Sequence, residues 1–222
     1  MGVEYIRTTR SADYLRPGSN IILYDDMEDL LKWDVSGYPV AGTVTKEPTA
    51  TYNKNYGLRI ATRATTPAIN DYTAATRSIA NITNNEITIE LFFRLITTAA
   101  NAKFDIRYDS FYNGLAITTG LRIDGSTNYI WLMNEGGGYV QTTLQIPTLS
   151  ANYWHRLSVS FNLLTNTYIK AKINAINYNL TNYRYFIESG FDIEQTTIML
   201  LMGTKAAAQA TIDIDDCLIY TT

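Results

Sequence analysis

The sequence is poor in residues that cross-link or chelate. Cys217 is its one cysteine and His155 its one histidine, which excludes an intrachain disulfide and a multi-histidine metal site. Charge is scarce as well: 18% of residues are charged, with 18 Lys+Arg against 21 Asp+Glu and a formal charge of −3. A chain with no clustered basic excess lacks a sequence-independent grip on nucleic acid. Apolar runs such as Ile198-Met199-Leu200-Leu201-Met202 fall far short of the roughly 20 residues that cross a bilayer. The opening residues, Met1 to Arg10, lack the basic head and apolar run of a secretory signal. Arg7 also stands where a myristoylation signal needs Ser or Thr. No G-x-G-x-x-G or G-x-x-x-x-G-K occurs, and no βαβ alternation, which removes the nucleotide-binding α/β folds. The expectation is cytoplasmic synthesis, with no nucleic-acid or membrane partner.

What is present points to strands. Threonine is abundant and there are 17 Tyr, residues that suit half-buried pleated surfaces better than helix interiors. In Glu86-Ile87-Thr88-Ile89-Glu90-Leu91-Phe92-Phe93-Arg94, a period of two sets Ile87, Ile89, Leu91 and Phe93 on one face. Glu86, Thr88, Glu90, Phe92 and Arg94 take the other. The run from His155 to Phe161 alternates in the same way, and Leu163-Leu164-Thr165-Asn166 joins it to Tyr168–Ile173 as a hairpin would. Further runs lie at 21–24, 57–62, 104–107, 114–124, 129–133, 139–145, 196–202 and 211–220. The single helical candidate is Asp26 to Trp33, a segment short enough to be a turn instead. So many short strands predict an all-β fold, a two-sheet antiparallel jelly-roll β-sandwich over residues 20–222. Residues 1–19, with Arg7, Arg10, Arg16 and Pro17-Gly18, read as an extended N-terminal arm.

Four segments, in order, resemble concanavalin-A-like (laminin-G-like) jelly rolls. Tyr24-Asp25-Asp26-Met27-Glu28-Asp29 with Trp33 is similar to their opening acidic turn. Trp154-His155-Arg156-Leu157-Ser158-Val159-Ser160-Phe161 and Tyr168-Ile169-Lys170-Ala171-Lys172-Ile173-Asn174 resemble a central strand pair. Ile212-Asp213-Ile214-Asp215-Asp216-Cys217-Leu218-Ile219-Tyr220 resembles the closing strand. The resemblance implies the fold over the whole domain, but not one function, because this superfold hosts lectins, glycanases, adhesive modules and capsid proteins.

Three sets of site residues follow. Glu86-Ile87-Thr88-Ile89-Glu90 resembles the carboxylate strand of laminarinase-type β-glucanases, with Thr88 in place of the family's middle Asp. Retaining hydrolysis needs carboxyl groups about 5–5.5 Å apart, whereas positions i and i+4 of a strand are roughly 13 Å apart at Cα. Side-chain rotation can bring the oxygens closer, but Thr88 removes a charge the mechanism uses, so the constellation is incomplete and the expectation is no enzyme. Related jelly rolls hold a structural Ca²⁺ where first and last strands meet, and Asp25, Asp26 and Glu28 with Asp213, Asp215 and Asp216 would supply hard oxygen ligands. For a glycan, Tyr129 and Trp131 offer flat rings beside the amides of Asn128 and Asn134 and the Gly136-Gly137-Gly138 loop; Phe111, Tyr112 and Asn113 form a second tip. Cys217 reads as a small buried hydrophobe and His155 as a structural residue. Assembly completes the reading. The first choice is a non-enzymatic structural or binding module at a virion surface or cell exterior. It would be a capsid-decoration or fibre-like protein held by protein contacts through the arm, to a capsid or in a homo-oligomer. A carbohydrate-binding lectin-like module is the alternative, and a β-glucanase the third.

Overall fold

The computed structural model describes residues 20–28, 32–52, 55–80, 82, 86–97 and 101–221. Two eight-stranded antiparallel sheets stack face to face. The first runs β13 (Ile176–Asn179), β12 (Thr167–Ile173), β11 (Trp154–Asn162), β6 (Glu86–Leu95), β16 (Thr211–Thr221), β4 (Gly57–Ala61) and β3 (Thr43–Glu47). β1 (Asn20–Asp25) joins it beside the second half of β16. The second runs β10 (Tyr139–Gln145), β9 (Tyr129–Met133), β8 (Leu115–Asp124), β7 (Ala102–Tyr112), β15 (Gln195–Thr204), β5 (Tyr72–Ile79) and β2 (Asp34–Tyr38). β14 (Phe186–Ser189) pairs with the start of β8.

The alternation read from the sequence sets which side chains enter the core. Ile87, Ile89, Leu91 and Phe93 of β6 are at most 1% exposed, and across the sandwich they meet Phe104, Ile106 and Tyr108 of β7. Phe93 and Phe104 lie 5.3 Å apart between ring centroids, and Tyr108 and Phe161 5.1 Å. β11 and β12 form the expected hairpin, with Leu157 opposite Ile173 and Val159 opposite Ala171. Within the helical candidate Asp26–Trp33, Asp26, Met27 and Glu28 form an irregular turn, and Lys32 lies in a 3-10 turn. Met27 takes a left-handed φ of 59°, and Asp25 and Asp26 accept hydrogen bonds from the Met27 and Glu28 N–H groups. Short acidic side chains capping N–H groups two residues on favour such a turn over a helix. Residues 29–31, and the arm assigned to 1–19, lie outside the described residues.

Cys217 is buried in β16, and burial pushes its thiol pKa up to about 12. Since the thiolate is the reactive form, the native protein is expected to leave Cys217 unlabelled by Ellman's reagent at pH 8. Unfolding in urea should release one reactive thiol per chain. Stoichiometric labelling without denaturant would show that β16 does not close the sandwich as described.

Candidate functional site

The outward face of the second sheet carries a cleft of about 420 Å³. Its floor comes from β7 and β15. Because Phe104, Ile106 and Tyr108 point inward, their neighbours Lys103, Asp105 and Arg107 point out, and on β15 Met199, Leu201 and Gly203 alternate with Ile198, Leu200 and Met202 in the same way. Register brings the outward row into line, with Asp105 opposite Arg122 of β8 on one side and Leu201 of β15 on the other. Tyr72 and Ser36 line the β5–β2 side, and Asn70, Asp71 and Thr204 close one end.

One wall is tightly constructed. Arg122 donates to both Asp105 oxygens at 2.7 Å, the fork geometry that makes such pairs strong. Its guanidinium also lies 4.0 Å from the centroid of the Tyr139 ring. Burial works against the Arg122 charge, but the bonds to Asp105 outweigh it and hold the guanidinium pKa above its ordinary value. Tyr139 reaches from β10 across β9 to Gly120 of β8. A Cβ on Gly120 would stand 2.5 Å from the Tyr139 hydroxyl, so glycine is required for the ring to lie there. That hydroxyl is buried with no hydrogen-bond partner among the described residues. Burial, with the nearby Asp105 charge, raises its pKa well above the usual phenol value. On the opposite side, Tyr72 stacks on Tyr38 with centroids 6.3 Å apart and planes 21° from parallel.

Tyr129 and Trp131 stand on the same outward face, opposite Asp124 and Arg122 of β8. Both are half-buried, while Ile130 and Leu132 enter the core. They flank the cleft and do not line it. Trp131 Nε1 donates to Thr127 Oγ1 at 3.1 Å. The two amides have local duties. Asn134 Oδ1 accepts from Gly136 N and Gly138 N, fixing the 134–138 turn, and Asn128 sits at φ 53° with its amide 3.5 Å from Thr148 Oγ1. Phe111 packs edge-on against Phe191, and Asn113 is a left-handed turn residue.

The glucanase-like strand faces away from this cleft, on the outside of the first sheet. Glu90 is bound by Arg156 at 2.6 Å, and Thr88 bonds Ser160 at 2.7 Å. Glu86 is two outward positions further along β6. A carboxylate held by a guanidinium across β6 and β11 serves the sheet, and Thr88 supplies no charge between the two glutamates.

The acidic residues implied as calcium ligands do not fit a cation site. Asp25 accepts from Met27 N at 2.8 Å and Trp33 Nε1 at 3.1 Å and also pairs with Arg77. Asp26 accepts from Glu28 N, while Glu28 accepts from Asn55 N and Tyr56 N, each at 3.1 Å. Asp215 accepts from Tyr52 N at 2.7 Å, and Asp216 from the Tyr24 hydroxyl at 2.8 Å. Asp213 lies between Arg59 and Arg94. Among the described residues no three acidic, His or Cys side chains converge to hold an ion. His155 packs against Phe93 and bonds the Asn174 amide, a structural placement.

No protein-family model matches this chain, and no curated protein does. Solved structures do match in fold. The cellulose-induced protein Cip1 is similar over 90% of this chain and 97% of its own, with 14% identity and a TM-score of 0.59. A carbohydrate esterase of the Shiga toxin-encoding bacteriophage phi24B is similar over 92% of this chain and all of its own, with 14% identity and a TM-score of 0.57. The carbohydrate recognition domain of Emp47p is similar over 86% and 88%, with 13% identity and a TM-score of 0.52. The fold is thus an all-β, two-sheet antiparallel jelly-roll β-sandwich.

Proposed function

We propose that this chain is a carbohydrate-binding, lectin-like module without catalytic chemistry of its own, and that its glycan sits in the outward cleft of the second sheet. The observation that carries the proposal is the wall formed by Asp105, Arg122 and Tyr139. It holds the partly exposed Arg122 guanidinium rigidly, between the buried Asp105 carboxylate and the Tyr139 ring, beside an apolar floor of Met199 and Leu201 and facing the ring of Tyr72. Binding sites combine apolar area with a few rigid polar groups, and a sugar presents both hydroxyl edges and C–H faces. Cip1, the phage esterase and the Emp47p domain share the fold, and the latter two are named for carbohydrate. The commitment of Glu90 to Arg156 supports a non-enzymatic role.

A glycan array tests the proposal. The wild-type protein is expected to bind a defined set of glycans, and Tyr72→Ala, which strips the ring from the cleft rim, to weaken that binding about tenfold or more. Trp131→Ala, outside the lining, should weaken it less. A blank array overturns the reading. Virion-surface placement is a second reading, favoured by the likeness to the bacteriophage protein; it is compatible with glycan binding.

A further inference from the structure

Lys103 stands apart from every other cation at the cleft. Around it, each guanidinium or ammonium has its own carboxylate: Arg122 has Asp105, Arg107 has Asp109, Arg63 has Asp71, and Lys205 has Asp124, at 2.6 to 2.9 Å. Lys103 Nζ forms no ion pair among the described residues, and its one hydrogen bond, 2.9 Å long, goes to the neutral Oδ1 of Asn70. The lining therefore sets Lys103, Arg107 and Arg122 against Asp71 and Asp105, one positive charge in excess. Adding the flanking Arg63 and Lys205 with Asp109 and Asp124 leaves the same excess. This local sign opposes that of the whole chain, which carries −3.

On the reading that the cleft binds a glycan, we infer that the glycan is acidic, with a carboxylate or sulfate on the sugar seated against Lys103. Asp124 and Asp105 attract the half-buried Lys103 ammonium only from a distance, and an incoming anion supplies the direct contact it lacks. The protein's own interactions agree in direction: burial, then the charges of Arg122 and Lys205, pull the Lys103 pKa below its ordinary value. A bound anion reverses that balance, and the charge-assisted bond it forms is of the stronger kind. Arg122, locked by Asp105 and Tyr139, is left to orient ring hydroxyls.

The inference is tested on an array carrying uronate-containing, sialylated, sulfated and neutral glycans. For the best binder, affinity is then measured by calorimetry before and after its acidic group is removed by carboxyl reduction or desulfation. The expected result is that acidic glycans dominate and that removing the charge weakens binding about tenfold or more. Lys103→Gln should cause a loss of similar size, with Lys103→Arg retaining most of the affinity and added salt weakening it. The modified ligand acts on unaltered protein, so that arm is independent of any folding defect in the variants. Binders that are all neutral, or an unchanged affinity for the neutralised ligand, overturn the acidic assignment and leave the glycan site standing. An array blank for every class overturns both.

Discussion

Asp213→Asn is expected to lower the stability of the fold by about 3 kcal/mol, the low end of the cost of breaking a buried ion pair. The carboxylate of Asp213 is fully buried on β16, and it accepts from Arg59 Nε at 2.7 Å and from Arg94 Nη2 at 2.7 Å. These two arginines belong to β4 and β6, the strands on either side. Arg94 also reaches the Thr49 carbonyl. One carboxylate thus ties three adjacent strands, and its loss leaves two guanidinium groups facing each other. Their side chains are 26% and 20% exposed, so water screens part of that repulsion, and the lower figure is appropriate. In a chain of this length the drop corresponds to roughly 6–12 °C in Tm. Calorimetry of Asp213→Asn beside Asp192→Asn, which alters an exposed loop residue, checks this. A shift of under about 2 °C at Asp213 would show that the three-strand tie does not form.

The second large effect is expected at Tyr168. Its ring is fully buried on β12, packed edge-on against Tyr185. Its hydroxyl crosses the sandwich to accept from Gly120 N at 3.0 Å and to meet the carbonyls of Gly120 and Met133 at 3.0 and 3.1 Å. Tyr168→Phe keeps the ring but leaves the Gly120 N–H unsatisfied in the core, at about 1–3 kcal/mol. Tyr168→Ala adds a cavity and is expected to cost about 3–5 kcal/mol. The same Gly120 lies beneath Tyr139 on the outer face, so the core hydroxyl supports the cleft wall from within, and Tyr168→Phe should also weaken ligand binding. The pH dependence has a definite sign. Burial raises the Tyr168 pKa from 10.0 to about 12. A group whose pKa is higher in the folded state contributes stability that is complete below the unfolded value and lost as pH rises through the folded one. The stability gap between wild type and Tyr168→Phe should therefore narrow from pH 10 to 12. Urea titrations across that range that show a constant gap would contradict the buried hydroxyl.

How much of this the sequence revealed depends on where the pattern is loud. β6, β11 and β12 announce themselves through large branched and aromatic side chains at alternate positions, and the structure forms each within about a residue of its expected ends. β5 does not: Tyr72–Ile79 buries Ala74 and Ala75 completely, and small side chains give no hydrophobic rhythm to read. β2 is nearly all exposed and β14 is half so, so neither strand carries an inward apolar row. Part of the cleft was present in plain view. Lys103, Asp105, Arg107 and Asp109 alternate in sign along one face of β7, a polar row whose partners lie on strands far away in sequence. Arg122 meets Asp105 only through the β7–β8 register, and Tyr139 reaches Arg122 only because Gly120 clears a path. Tyr129 and Trp131 were identifiable as sharing one face of a strand, but with Ile130 and Leu132 apolar on the other face the outward side, and their place beside the cleft, are decided by that same register. The acidic residues at the strand ends were cation ligands only by the resemblance to related jelly rolls. The donors that occupy them, such as Tyr52 N on Asp215 and Trp33 Nε1 on Asp25, appear only once the chain is folded.

The central claim is the location of the ligand, and amide chemical-shift mapping with the best array glycan addresses it most directly. Perturbations should concentrate at Tyr72, Lys103, Asp105, Arg122 and Leu201 on the outward face of the second sheet. Perturbations gathered instead around Glu90, Trp154 and Arg156 on the first sheet, or none at saturating glycan, would contradict it.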